Sequence, residues 1–203
     1  LLMSGTGTLG ATGGTTRVNT GGTLNLGGTT QTQNGGVVIG GGTITNGTLR
    51  SASLFDAQGG SVSAVLAGTA GLTASTGTTT LFAVNTYTGN TTVNSGRLVI
   101  AQGGSIASTA VTVNGGAFVN NGTSLGTTTV NAGGTLGGNG IFGNTTFNGG
   151  TLSPGNSIGT VTIQGNLTLT AASTYMVEVD PNGADRTNVT GTATLGGARV
   201  SAN

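Results

Sequence analysis

Residues 85–100 read NTYTGNTTVNSGRLVI: one charge, two short apolar clusters, and threonine, asparagine and glycine for most of the rest. The heart of this phrase returns down the chain. Thr92-Val93-Asn94 is followed by Thr112-Val113-Asn114, Thr129-Val130-Asn131, Thr146-Phe147-Asn148 and Thr162-Ile163-Gln164. Subtracting the positions of the central residues gives steps of 20, 17, 17 and 16. After the first four copies come a glycine-bearing turn and a second apolar residue, Leu98, Phe118, Leu136 and Leu152. A weaker copy stands near the start, Val18-Asn19 ahead of Gly21-Gly22-Thr23-Leu24.

A unit of this size holds about three short strands, too little to bury its inward side chains alone. Stacking unit on unit solves this, because each strand pairs with those above and below at about 4.8 Å. The expected fold is therefore all-β: a right-handed single-stranded parallel β-helix, or β-solenoid, of about ten coils. Val93, Val113, Val130, Phe147 and Ile163 are expected to share one interior ladder. Asn94, Asn114, Asn131 and Asn148 are expected to stack as an amide ladder, as in cross-β assemblies. Outward threonines suit a strand without demanding burial, and glycine or asparagine corners accept positive φ. Helices are not expected, since no long 3.6-residue apolar stripe is present. Low-complexity disorder fits less well because the repeats keep order and spacing. An antiparallel sandwich or barrel also fits turn signals every ten residues.

Composition narrows the function. The chain has 203 residues with 43 glycines, and threonine supplies roughly a fifth. Only 4% of residues are charged and the net charge is +1, which argues against nucleic acid as a partner. Apolar residues make up 34%, in short clusters, so something is buried a few residues at a time. Cysteine, histidine and lysine are absent. That removes thiol chemistry, Ser-His and Ser-Lys arrangements and a Walker A loop from within this chain. The start, LLMSGTGTLG, lacks the basic and long apolar parts of a signal peptide and does not begin at Met, so a piece of something larger is expected.

Gly5-x-Gly7-x-x-Gly10 and Gly138-x-Gly140-x-x-Gly143 match a dinucleotide-binding glycine pattern, yet neither precedes a helical stretch that would face a pyrophosphate. Calcium is not expected, because GGNGIFGN carries the glycines of a β-roll loop without its aspartates. No cofactor, metal or catalytic residue is assigned. A threonine-rich flank raises binding to an ice surface, but coil lengths of 16 to 20 are expected to blur any flat lattice.

Three parts of one continuous solenoid are distinguished: irregular Gly/Thr-rich coils over 1–50, regular coils over 51–170, and a C-terminal cap over 171–203. The cap holds Tyr175, Glu178, Asp180, Asp185 and Arg186. Alternation places Tyr175, Val177 and Val179 on one face, with Met176, Glu178 and Asp180 on the other. Asp180-Pro181-Asn182-Gly183 signals a turn. The expectation is strand, turn, strand with the charge outside, guarding a sheet edge.

GGSVSAVLAGTAGL (59–72) followed by NTYTGNTTVNSGRLVI resembles the passenger-associated transport repeat of bacterial autotransporters. NGGTLSPGNSIGTVTIQGNLTL (148–169) and TYMVEVDPNGADRTNVTGTATLGGARV (174–200) resemble the C-terminal, autochaperone part of such passengers. The match covers roughly residue 35 to the end and departs over 77–89, GTTTLFAVNTYTG. The resemblance implies type V secretion: a parallel β-helix carried across a Gram-negative outer membrane by its own C-terminal β-barrel, its partner, and then displayed at the cell surface or released. It implies a non-enzymatic stalk whose last coils aid translocation and folding, with adhesion, self-association or a host receptor as wider roles. The alternative is a ligand-binding module, for a receptor, glycan or ice surface, using the Thr/Asn-rich flank. A third reading places enzymatic residues upstream of Leu1.

Overall fold

The computed structural model describes residues 1–4 and 7–203, and the described residues form short β-strands joined by turns, without helix. The strands wind as a parallel β-helix, in the right-handed sense that parallel crossovers take. Each turn contributes one strand to each of three faces. On the first face the pairing runs without a break from Thr16–Asn19 through Leu72–Ala74, Thr91–Val93, Ala110–Val113, Thr127–Asn131, Thr145–Asn148 and Leu167–Leu169 to Ala193–Thr194. Winding crosses both expected boundaries. Thr48–Arg50 pairs with Val65–Ala67, and Leu167–Leu169 with Ala193–Thr194.

About eight turns are regular. A ninth is interrupted by a hairpin and a tenth is partial, so the expected ten coils overcount the regular ones. The reason is local. Val179–Asp180 and Gly183–Ala184 leave the stack and pair antiparallel with each other.

Alternation along each strand explains the core. In Thr91–Val93 the outer two residues are buried and the middle one is half-buried, and the same pattern holds in neighbouring turns. The first interior ladder runs Val18, Ile39, Ala57, Ala74, Val93, Val113, Val130 and Phe147. A second, on the adjoining face, runs Leu98, Phe118, Leu136, Leu152, Tyr175 and Val200. The third face lines Ile106, Ser124, Phe142, Ile163 and Val189. Each buried Val, Leu, Ile or Phe is worth about 1.5–3 kcal/mol, a gain made only once a neighbouring turn covers it. Phe118 and Phe142 meet nearly edge to face at 5.8 Å, tying the second and third faces across the interior.

Ile163 is a correction. It stands on the third face opposite Phe142, whereas Leu169 follows Phe147 on the first. The step from Phe147 to Leu169 is 22 residues, and the surplus lies in the loop 155–159 ahead of Thr160–Ile163. The Thr-Ile-Gln triplet therefore copies the motif while sitting one face further round.

Corners explain the glycine. Gly96 and Gly116 have φ of +70° and +66° and stack on one another, and a Cβ on Gly116 would run into the Gly96 carbonyl. Gly138, Gly140 and Gly143 are corner residues too, closely approached by backbone of the preceding turn, and no helix follows them. Gly5 of the other glycine motif lies outside the described residues.

Candidate functional site

With the interior filled, chemistry is left to the outer faces and the corners. The amide ladder forms at the corner after the first face. Asn114 Nδ2 donates to Asn94 Oδ1 at 2.9 Å, and Asn131 Nδ2 donates to Asn114 Oδ1 at 2.8 Å. Asn148 stands next in register opposite Asn131. Side-chain hydrogen bonds therefore join Asn94, Asn114 and Asn131, while the expected fourth member, Asn148, is in register with Asn131 but not bonded to it through its amide.

The C-terminal residues follow expectation at Asp180 and Arg186 and depart from it at Asp185 and Val179. Tyr175 packs half-buried against the core and its hydroxyl accepts from Thr187 Oγ1 at 3.1 Å. Asp180 is exposed and shapes the hairpin turn, its Oδ1 accepting from the amides of Asn182 at 2.7 Å and Gly183 at 2.9 Å. Asp185 is not on the outside: it is 8% exposed, and its two oxygens accept from Gly159 N at 2.8 Å and Glu178 N at 2.9 Å. It latches the hairpin to the loop 155–159. Arg186 is exposed beside it in Arg186–Val189, which pairs with Thr160–Ile163. Val179 is 55% exposed, so the alternation that begins at Tyr175 ends at Val177, where the hairpin departs. The segment does not close the end either. Its own last strands, Ala193–Thr194 and Arg199–Ala202, continue the parallel stack on Leu167–Leu169 and Thr174–Val177, with Leu195 and Val200 exposed at 60% and 65%.

The acidic groups do not converge. Asp56 lies far down the rod in a polar strip, accepting from Gln58 Nε2 at 2.6 Å and Ser75 Oγ at 2.8 Å, and Gln58 in turn accepts from Arg17 at 3.0 Å. Among the described residues no three acidic, histidine or cysteine side chains come together as a metal site. A shallow groove on the second face is lined by Arg97, Val119, Gly137, Ser153, Asn156 and Glu178, below the overhanging loop 155–159.

The threonine-rich outer flank is more regular than the unequal coil lengths led us to expect. The outward middle residue of the first face is threonine in seven successive turns: Thr73, Thr92, Thr112, Thr129, Thr146, Thr168 and Thr194, each opposite the next. The steps between them are 19, 20, 17, 17, 22 and 26 residues by subtraction, so differing coil lengths are absorbed at corners and loops and the column stays in register. The expected blurring of this face does not occur. The repeated Thr-Val-Asn triplets carried the signal, but the lengths between them hid it.

Comparison with protein-family models, with curated proteins and with solved structures finds no match to this chain.

Proposed function

We propose that this chain is a non-enzymatic passenger segment of a Gram-negative autotransporter: a secreted or surface-displayed β-helical stalk whose last coils support translocation and folding. The supporting observation is where the quoted phrases fall. Residues 59–72 and 85–100 lie in successive windings, and 148–169 and 174–200 form the last ones, their strands paired parallel to the preceding turn except in the antiparallel hairpin of Val179–Asp180 and Gly183–Ala184. In such a stack a turn is stable mainly on its neighbour, so folding that begins at one end propagates. A chain emerging from a membrane pore is drawn outward by that propagation. Absence of cysteine suits passage through an oxidising periplasm unfolded.

The test places the chain between a secretory signal and an outer-membrane β-barrel translocator and measures surface display and resistance to added protease. The full chain is expected at the surface in resistant form. Deleting residues 175–200 removes the last pairings of Leu152 and Ile163 and is expected to lower both readouts. Equal display and equal resistance after the deletion would overturn the role given to these coils.

A further inference from the structure

The threonine column is the largest ordered feature that the transport reading leaves unused, and it stands independently of that reading. Its seven members occupy consecutive positions on one face. Among the described residues, none of their hydroxyls hydrogen-bonds to another protein group, although neighbours such as Thr91, Thr109, Thr127 and Thr145 do so. From Asn90 onward the residues flanking the column, Asn90, Ala110, Asn144 and Asn166 before it and the Asn94–Asn114–Asn131 ladder after it, bring no charge and no aromatic ring. The column's charge lies at its lower end, where Asp56 stands opposite Thr73 and Arg17 two rungs below Asp56.

Those absences select the partner. Protein interfaces take their affinity from tryptophan, tyrosine and arginine anchors; Arg17 stands in this column three rungs below Thr73, and from Thr73 onward the column presents none. Sugar sites combine aromatic walls with converging polar groups, and here the surface is a row. What the face offers is one methyl and one free hydroxyl repeated every ~4.8 Å on side chains whose χ1 is held stiff by β-branching. Only a partner that itself repeats gains from such a row, because each weak contact after the first becomes intramolecular.

We propose that the outer first face, centred on Thr92, Thr112, Thr129 and Thr146, binds an ordered water lattice, the surface of an ice crystal. The methyls order the water over the column, and the hydroxyls supply hydrogen bonds in step with it.

The experiment grows single ice crystals in nanolitre droplets of the purified 203-residue chain. Faceted crystals and a gap between melting and growth temperatures are expected. The pair Thr112→Lys and Thr129→Lys puts two charges at the middle of the column and is expected to return the gap to the buffer value. Thr135→Lys, an outward position on the second face opposite Thr151, is expected to leave it unchanged. Circular dichroism melts verify folding. If the double variant unfolds, Thr129→Leu, which adds bulk without charge, is expected to narrow the gap. Round crystals with no gap for the unaltered chain would overturn the proposal, as would equal loss from Thr135→Lys. So would sedimentation showing self-association, or an array showing glycan binding, that the double variant abolishes while ice growth is unaffected by either protein.

Discussion

Tyr87 is the largest side chain buried completely, at the corner between the third and first faces. Its ring sits 5.9 Å from Phe55, and its hydroxyl shares a 2.9 Å hydrogen bond with Thr91, which meets Ser108 at 2.6 Å. Ser108 donates onward to the Gly89 carbonyl at 2.9 Å, so the buried chain of hydroxyls ends on backbone. Burial pushes the phenol from its ordinary 10.0 up to about 12, outweighing the opposing hydrogen bonds from Thr91 and Ser108. The folded state therefore holds the proton more tightly than the unfolded chain. The stability this contributes is whole below pH 10 and drains as pH rises from 10 through about 12. Two units correspond to about 3 kcal/mol. Melts across this range are expected to show the unaltered chain losing more stability than Tyr87→Phe; curves that fall in parallel would refute the coupling. At this scale the sequence was partly legible. Val93, Val113, Val130 and Phe147 take the interior ladder their spacing predicts. Tyr87 gave no such signal, because it lies between repeats and its partner Phe55 is two turns away.

Among elements, the hairpin Val179–Asp180 with Gly183–Ala184 and the loop 155–159 are the irregular pieces, and Asp185 joins them. A carboxylate that accepts two backbone amides while nearly buried leaves both donors stranded if removed, at a cost of about 1–3 kcal/mol. Asp185→Ala is expected to lower the melting temperature and to speed hydrogen exchange at the Gly159 and Glu178 amides. Asp180→Ala, whose amide partners sit in solvent, is expected to change both far less. Unaltered exchange at Gly159 in the Asp185 variant would show that the latch does not hold the loop. Turn chemistry at Asp180-Pro181-Asn182-Gly183 was readable from residue types. The destination of Asp185 was not, because a charge near a turn reads as solvated until the loop that covers it is placed. Ile163 misled for the same reason: five extra loop residues move a repeat to another face without altering its letters.

For the whole molecule, the fold follows from one condition: residues at like positions in successive turns lie side by side. Fold class was readable because that condition writes itself into spacing. The in-register threonine column was not, because it depends on register, and register survives coil lengths that sequence comparison treats as irregular. The absence of native cysteine gives a clean background for paired spin labels. Labels at Thr73→Cys and Thr168→Cys stand five rungs apart, and labels at Thr73→Cys and Thr194→Cys stand six. At about 4.8 Å per rung the Cα separations are about 24 and 29 Å. Pulsed dipolar spectroscopy is expected to give two narrow distributions whose centres differ by about one rung, although 26 residues separate the second labels. Broad distributions, or centres that differ by much more than a rung, would contradict parallel in-register stacking and the account built on it.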